Sequence, residues 1–214
     1  MKLLKEMPII TIVTIPFIYL AYIWNMLPKQ VPLHWNINGE IDRYGSKLEL
    51  LLIPILLPLL IYVIFLIIPI IDPKKRIKKM GKKYYNLKFL LTLFMSTFAI
   101  IIIYYAQNKS ITNPNYLVLI VGILFIILGN YYKTIKPNYF LGIKTPWTLE
   151  SDVIWKKTHY LAGILWFIGG ILIMILSLIL DTKWNFRIFI GITIVIALIP
   201  ILYSFILYKK QKIA

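Results

Sequence analysis

The chain has 214 residues, of which 60% are hydrophobic and only 15% are charged. A soluble domain of this length does not carry so apolar a composition, so the sequence indicates an integral membrane protein. Its formal net charge of +16 would also suit a nucleic-acid-binding protein, but basic residues commonly mark the cytoplasmic side of membrane proteins. We therefore predict membrane lipids as partners and no direct binding of nucleic acid.

Six runs of apolar, mostly uncharged residues follow one another along the chain. Each is close to the length of about 20 residues that a helix needs to cross a hydrocarbon core of about 30 Å. The runs lack the alternating pattern of barrel strands, and helices satisfy their own backbone hydrogen bonds in lipid. We predict an all-α integral membrane protein with six transmembrane helices, at residues 7–27, 48–71, 89–105, 115–132, 160–180 and 186–208.

The basic residues are unevenly distributed between the two sides of the membrane. If the N-terminus is cytoplasmic, 18 of the 24 Lys and Arg residues fall in cytoplasmic segments and 6 fall outside. Because cytoplasmic loops carry the excess of basic residues in membrane proteins, both termini are assigned to the cytoplasm. The basic cluster at residues 74–83 is also suited to lie on anionic lipid headgroups.

These assignments divide the chain into three expected parts. Residues 1–72 form a two-span N-terminal module with an ordered extracytoplasmic loop at residues 28–47, here called the outer loop. Residues 73–88 form a basic cytoplasmic linker. Residues 89–214 form a four-span module whose long polar connection at residues 133–158 is here called the cytoplasmic loop.

Several residues of the outer loop favour local structure. Pro28 and Pro32 bias the residues before them toward extended backbone, and Asn38-Gly39 is a strong tight-turn pair. A small hairpin or ordered turn is therefore expected at the outer surface.

The start of the second span carries a capping signal followed by helix-disturbing residues. Ser46 and Glu49 match an S-x-x-E capping box, which gives Glu49 a structural role rather than a catalytic one. Pro54 and Pro58 then fall on one face of the span and are expected to disturb the helix. Neighbouring helices or local adjustments must satisfy the freed carbonyls, so this face is expected to pack against other spans.

Three side chains of the outer loop could in principle gather a metal ion: His34, Glu40 and Asp42. Three residues in a short loop without cysteine make a weak site, and a His-Trp pair at an interface is ordinary surface packing. The second histidine, His159, lies on the opposite side of the membrane in the predicted topology, which argues against a two-histidine site. We predict no metal site and no cofactor.

The cytoplasmic loop is polar, aromatic and rich in turn residues, yet apolar segments adjoin both of its ends. Asn138 and Gly142 indicate turns. Thr145 and Pro146 are typical of an N-cap and a first helical position. We predict a helix from about residue 146 toward residue 157 that lies at the membrane surface before the fifth span.

The composition of the spans also bears on function. Gly163, Trp166 and Gly170 share one stripe of the fifth span, and glycine at such spacing lets a neighbouring helix approach closely. No span carries an ionisable side chain in its central part. Because ion-coupled transport and intramembrane catalysis usually need such residues at depth, both classes of function lose support.

The cytoplasmic loop offers acid, base and hydroxyl groups at Asn138, Glu150, Asp152, Thr158 and His159. Catalysis needs two or three of them to converge on a cleft, which sequence spacing does not show. Helix capping accounts for the carboxylates, and the start of the fifth span accounts for Thr158 and His159. We therefore predict no catalytic residues and a protein that is not an enzyme.

Two sets of residues carry a family resemblance. The first set is Gly129-Asn130-Tyr131, Lys136-Pro137-Asn138, Gly142-Ile143-Lys144-Thr145-Pro146-Trp147-Thr148-Leu149, Trp155, Thr158-His159, Ala162-Gly163 and Trp166. The second set is Pro28, Pro32, His34-Trp35-Asn36, Gly39, Asp42 and Ser46-Lys47. The first resembles the signature of the SdpI family of bacterial membrane immunity proteins. The second is similar to the small domain of unknown function that commonly precedes it, and together they cover nearly the whole chain.

The resemblance implies a multi-pass protein of the bacterial cell membrane that protects the producing cell against its own secreted antimicrobial peptide toxin. It also implies signal transduction, in which the toxin-engaged protein holds a cytoplasmic ArsR-like repressor at the membrane. The motif positions expected to bind in the cytoplasmic loop are Asn130, Lys136, Asn138, Lys144, Trp147, Asp152, Trp155 and His159. Those expected to bind in the outer loop are His34, Trp35, Asn36 and Asp42.

Two other classes of function stay open, because family likeness alone does not fix function. A small membrane transporter would need a polar path between its spans. A membrane-embedded enzyme acting on a peptide or lipid would lose activity on replacement of Asp152 or His159 while still inserting. An interaction protein would instead lose its partner on replacement of Lys144, Trp147 or Trp155.

Overall fold

The computed structural model describes residues 2–36, 38, 40–108 and 113–213. Six helices in this part of the chain are long and apolar enough to cross a membrane, which confirms the predicted all-α architecture. The spanning helices and one short helix are α1 (Lys2–Ile23), α2 (Lys47–Ile71), α3 (Lys82–Asn108), α4 (Asn115–Tyr132), α5 (Pro146–Glu150), α6 (Asp152–Ile179) and α7 (Thr182–Ile213).

Several helices extend beyond the predicted spans. α3 begins at Lys82 rather than at residue 89, and α6 begins at Asp152 rather than at residue 160. The 28 residues of α6 correspond to a length of about 42 Å, more than the hydrocarbon core of about 30 Å. Backbone hydrogen bonding continues through the polar headgroup layer, so the uncharged runs located the spans but not the helix ends.

The chain folds into two compact units. The N-terminal unit comprises Met1–Ile71 and Lys82–Thr112, and so contains α1, α2 and α3. The C-terminal unit comprises Asp72–Gly81 and Asn113–Ala214, and so contains α4 to α7. Asp72–Gly81, here called the connecting segment, takes in much of the predicted basic linker. The predicted three-part division of the chain stays a prediction.

The outer loop forms an antiparallel hairpin of two strands, β1 (Gln30–Trp35) and β2 (Ile41–Ser46). This confirms the expected hairpin, although Gly39 of the predicted turn pair lies outside the described residues. Lys47 fixes the base of the hairpin, because its Nζ donates to the Trp24 carbonyl oxygen at 3.3 Å and lies 4.7 Å from the Trp24 ring centroid. The apolar cluster beneath the hairpin contains Leu20, Ile23, Leu27, Val31, Leu50, Ile103 and Ala106.

The start of α2 has the local structure that the sequence predicts. The Ser46 hydroxyl and the Glu49 carboxylate form the capping box, in which the Ser46 N–H donates to Glu49 Oε1 at 2.9 Å. One π-helical turn, Ile55–Leu59, follows Pro54 and contains Pro58. A proline lacks the N–H of a regular helical turn and crowds the preceding carbonyl, which a wider π turn relieves. Both prolines are buried, as expected for a packed face.

A buried ion pair joins helices of the N-terminal unit near their cytoplasmic ends. Lys88 Nζ of α3 donates to both carboxylate oxygens of Glu6 in α1 at 2.7 Å, and the Lys88 side chain is 6% exposed. The Tyr62 hydroxyl of α2 also donates to Glu6 Oε2 at 3.3 Å. Removing one partner would leave an uncompensated charge, so the group ties three helices together.

In the C-terminal unit, α4 and α6 approach closely at two pairs of glycines. Gly129 faces Gly163, and a Cβ added at Gly129 would lie 2.8 Å from the Gly163 carbonyl oxygen. Gly122 faces Gly170, and a Cβ added at Gly170 would lie 2.6 Å from the Gly122 carbonyl oxygen. This confirms the close approach predicted for the Gly163–Gly170 stripe and identifies α4 as the neighbour.

We predict that Gly129→Ala lowers the stability of the protein. Alanine normally favours a helix over glycine by up to about 1 kcal/mol. Here the added methyl would lie 2.5 Å from the Phe167 backbone nitrogen, and separating the helices should cost about 1–3 kcal/mol. The thermal midpoint followed by circular dichroism in detergent should fall.

Gly191→Ala in α7 is the matched control, because a Cβ added there meets nothing within 4 Å. This variant should be at least as stable as the unchanged chain. Equal midpoints for the two variants would contradict the glycine contact between α4 and α6.

Candidate functional site

The first turn of the cytoplasmic loop is organised by the side chain of Asn138, which is 2% exposed. Its Nδ2 donates to the carbonyl oxygens of Lys136 at 2.8 Å and Leu141 at 3.1 Å. Its Oδ1 accepts from the N–H groups of Phe140 at 2.8 Å and Leu141 at 2.6 Å. These bonds use the full capacity of the amide, so Asn138 shapes the loop rather than facing a ligand.

The loop is next fixed to α6 through His159. Gly142 has a φ of +97°, and the following N–H, that of Ile143, donates to His159 Nε2 at 3.0 Å. His159 Nδ1 lies 2.9 Å from the Trp155 carbonyl oxygen, to which it donates. The two contacts define a neutral imidazole with its proton on Nδ1. A Cβ at Gly142 would lie 2.3 Å from Nε2, so backbone conformation and space both require glycine here.

Aromatic rings on α6 and at the end of α4 surround this contact. The Trp155 ring stacks on His159 with centroids 4.0 Å apart and an interplanar angle of 18°. Trp155 is 1% exposed, and its Nε1 donates to the Ile135 carbonyl oxygen at 2.8 Å. Tyr132, at the end of α4, lies 5.8 Å from His159 and 5.4 Å from Trp166 between ring centroids. Trp155 and His159 therefore hold the loop at both residue 135 and residue 143.

The short helix α5 starts as predicted but ends early. The Thr145 hydroxyl accepts from the Thr148 N–H at 3.3 Å, and the Thr145 N–H donates to the Thr148 hydroxyl at 2.8 Å. The prediction of one helix continuing to residue 157 is wrong, because α5 ends at Glu150 and Ser151 is extended. The Ser151 hydroxyl then accepts from the Ile154 N–H at 3.3 Å and caps α6. Serine is a strong N-cap, so residues 152–157 belong to the fifth transmembrane helix.

Trp147 fixes α5 to the last transmembrane helix. Its Nε1 donates to the Ser204 hydroxyl at 2.7 Å, and Ser204 is 0% exposed. Its ring lies 5.4 Å from the Phe205 ring centroid and 5.7 Å from that of Tyr208. Trp147 therefore faces α7 rather than the cytoplasm.

The connecting segment packs on the cytoplasmic loop. Asp72 is 3% exposed, and its Oδ2 accepts from the Ile77 N–H at 2.7 Å, which folds the segment into a turn. Arg76 Nη1 then donates to the Pro137 carbonyl oxygen at 3.0 Å and lies 3.9 Å from Asp152 Oδ1. At least this part of the basic linker therefore contacts protein.

The predicted cytoplasmic binding residues divide into two groups by exposure. Those packed inside the protein, wholly or in part, are Asn138, Trp147, Trp155 and His159. Those exposed are Asn130, Lys136, Lys144 and Asp152. Only the exposed group offers side chains that a partner can touch, while the packed group holds that surface in shape. A binding role for either group stays a prediction.

The predicted outer binding residues come together on the hairpin. His34 Nδ1 lies 2.5 Å from Asp42 Oδ1, and Asn36 Nδ2 donates to Glu40 Oε2 at 2.7 Å. Trp35 packs against the apolar cluster beneath the hairpin. Within the described residues, no group of three or more His, Cys, Asp and Glu side chains is placed to hold a metal ion. Ligand binding by the hairpin stays a prediction.

Two contributors to the site were not found from the sequence. Arg76 counted only as one basic residue of the linker, and nothing local pointed to its contact with Pro137. Ser204 had a weak signal, because a hydroxyl within an apolar span usually needs a hydrogen-bond partner. Its partner Trp147 lies 57 residues away in the sequence, so the signal could not name it.

Comparison with known proteins finds a family match in this part of the chain. Residues 134–204 match the SdpI/YfhL protein family. Over these residues the chain is similar to that family. The matched region contains most of the cytoplasmic loop, α5, α6 and much of α7, and so coincides with the contacts made by Asn138, Trp147, Trp155 and His159. Residues 11–57, which include the outer hairpin, match a domain of unknown function (DUF1648).

A curated relative matches over nearly the full length of the chain. The two are 26% identical over 206 residues, which is 96% of this chain and 97% of Immunity protein SdpI from Bacillus subtilis (strain 168). No solved structure matches the chain. The family match, the relative and the six spanning helices confirm a multi-pass protein of the bacterial cell membrane.

We predict that His159→Phe loosens the cytoplasmic loop. Phenylalanine keeps a ring beside Trp155 but leaves the Ile143 N–H without its acceptor, which should cost about 1–3 kcal/mol. Trypsin should then cleave the loop faster after Lys144, which is exposed. His159→Gln, which can return an acceptor to the Ile143 N–H, should recover part of the protection. Identical cleavage rates for the unchanged chain and His159→Phe would contradict the assigned hydrogen bond.

Proposed function

We propose that the chain is an immunity protein that protects the cell carrying it from a secreted antimicrobial peptide toxin. The observation that supports this most strongly is the match to Immunity protein SdpI, which spans 96% of this chain and 97% of that protein. The aligned length is long enough to take in both the outer hairpin and the cytoplasmic loop. A match of this extent supports a shared role more strongly than a shared fold would.

We assign toxin recognition to the outer hairpin, which a secreted peptide would meet first. The hairpin is held by Val31, which is 0% exposed, and by Lys47 at its base. Its polar groups remain accessible, with the His34 and Asp42 side chains 63% and 42% exposed. A surface fixed before binding loses little conformational freedom when it binds, which favours recognition of a flexible peptide.

On the cytoplasmic side we assign docking of a repressor to the exposed face of the cytoplasmic loop. This face presents Lys144 and Asp152 beside two exposed apolar side chains, Tyr139 at 41% and Val153 at 53%. Mixed apolar and charged surfaces of this kind are typical of interfaces that form and separate. The contacts of Asn138 and the packed rings behind it would keep the face in one shape.

The first test is survival of a toxin-sensitive cell that lacks its own immunity gene. Expression of the intact chain should raise the concentration of secreted peptide toxin needed to stop growth. His34→Ala combined with Asn36→Ala should reduce this protection by about 5- to 30-fold, the range expected for residues central to an interface. The control is Lys183→Ala, a change at another exposed residue on the outer side.

Both variants must reach the membrane at the level of the unchanged chain. No protection by the unchanged chain against a panel of secreted peptide toxins would contradict the immunity function. Equal loss of protection in the control and the hairpin variant would contradict recognition by the hairpin.

The second test follows a fluorescent ArsR-like repressor from the same genome. We predict that toxin moves it to the membrane in cells with the unchanged chain, and that Lys144→Glu reduces this recruitment by about tenfold, since opposing a charge at an interface costs more than 1 kcal/mol. Lys183→Glu makes the same charge change on the outer side and should leave recruitment unchanged. Unaltered recruitment with Lys144→Glu would contradict docking on this face.

A further inference from the structure

A basic cleft opens on the cytoplasmic side of the C-terminal unit, where α4 ends and α6 begins. Its volume is about 320 Å³, and its lining includes three lysines, Lys133, Lys156 and Lys157. Trp155 and His159 form its back wall. Among the described residues no carboxylate lines the cleft, and no ion pair neutralises the three lysines. The cleft therefore concentrates positive charge that has no counter-ion within the described protein.

An apolar groove of about 460 Å³ adjoins the basic cleft and runs between α4 and α6. Both spaces are lined by Lys133 and Tyr160, so they lie next to each other. The floor of the groove lies at the contact between Gly129 and Gly163, where neither helix carries a side chain. Its side is formed by Ile164, Phe167 and Ile168, which are 42%, 36% and 50% exposed and so face the surroundings of the helices.

The position of the two spaces relative to the membrane follows from the sequence of α6. Residues 160–179 contain no Asp, Glu, Lys or Arg, and as a helix they extend about 30 Å, the thickness of the hydrocarbon core. Lys156 and Lys157 come directly before this stretch, and Lys133 directly follows α4. The basic cleft therefore lies at the level of lipid phosphates, and the apolar groove lies at the level of the acyl chains.

We propose that the basic cleft and the apolar groove together bind one anionic phospholipid of the inner leaflet. Its phosphate would lie among Lys133, Lys156 and Lys157, and one acyl chain would occupy the groove over the glycine contact. Basic residues near the membrane surface attract anionic lipid, and a groove floored by glycines removes the side chains that would otherwise fill it. The exposed amide of Asn130, which also lines the groove, is available to the glycerol or headgroup oxygens.

This lipid site has a consequence for the cytoplasmic loop. Trp155 and His159, which form the back wall of the cleft, are also the residues that hold the loop at residues 135 and 143. A lipid that binds the folded protein and not the unfolded chain stabilises the fold by mass action. Occupancy should therefore raise the thermal midpoint and slow the cleavage of the loop at Lys144.

The test is a titration of the intact, detergent-purified chain with phosphatidylglycerol, with bound lipid counted by native mass spectrometry. Lys133→Gln, Lys156→Gln and Lys157→Gln together should weaken binding by about tenfold or more. The matched control is Lys209→Gln, Lys210→Gln and Lys212→Gln, which removes the same charge from three exposed cytoplasmic lysines elsewhere. The control should keep the first bound lipid, and phosphatidylcholine should bind far more weakly than phosphatidylglycerol.

Ile164→Trp separates a lipid from a free phosphate, because it fills the groove and leaves all three lysines unchanged. It should reduce binding of phosphatidylglycerol, and inorganic phosphate at millimolar concentration should not displace the lipid. Equal affinity of the two triple variants for phosphatidylglycerol would overturn the proposal. Full displacement by inorganic phosphate, or unchanged lipid binding in Ile164→Trp, would overturn the assignment of the groove.

Discussion

Within a bilayer the hydrophobic effect gives two helices little reason to associate, because lipid tails are as apolar as the side chains that they would leave. α4 and α6 instead approach each other through backbone at Gly129 and Gly163 and at Gly122 and Gly170. The short separation between α4 and α6 determines which side chains meet at their cytoplasmic ends. Tyr132 ends α4 within ring contact of His159 and Trp166 on α6, and the cytoplasmic loop starts from that point.

The cytoplasmic loop is a short polar chain at the edge of a low-dielectric medium, where an unpaired buried polar group is costly. Several of its buried groups find partners inside the protein. The Asn138 side chain makes four hydrogen bonds to backbone groups. His159 accepts from the Ile143 N–H, and Trp155 donates to the Ile135 carbonyl oxygen. Half of the predicted cytoplasmic binding residues are thus engaged in contacts within the protein. The outward face of the loop owes its fixed shape to them.

The predictable features were those determined within a few residues. The capping box of Ser46 and Glu49 and the hairpin around Asn38 follow from local backbone chemistry, and the spans follow from composition. Ser151 shows where prediction from local sequence failed. A serine before acidic and apolar residues is a recognisable N-cap, yet the surrounding pattern favoured one continuous helix. The predicted start of the preceding short helix was right, and its predicted end was wrong.

The features that could not be predicted depend on residues far apart in the chain. Glu6 and Lys88 are 82 residues apart, and Trp147 and Ser204 are 57 apart. No regular sequence spacing predicts either contact, because the two residues of each pair meet only after several helices have packed. The lysines of the basic cleft were visible in the sequence as charge on the cytoplasmic side. Their gathering beside a groove floored by glycines required the positions of α4 and α6.

The connecting segment has a consequence for the order in which the protein is made. Asp72–Gly81 belongs to the C-terminal unit, but α3 is synthesised before the rest of that unit. When Arg76 leaves the ribosome, its acceptor at Pro137 has not yet been synthesised. This hydrogen bond can therefore form only after α3 and α4 have been made. Completion of the cytoplasmic loop therefore closes a long chain loop, and a C-terminal fragment expressed alone would lack one of its own pieces.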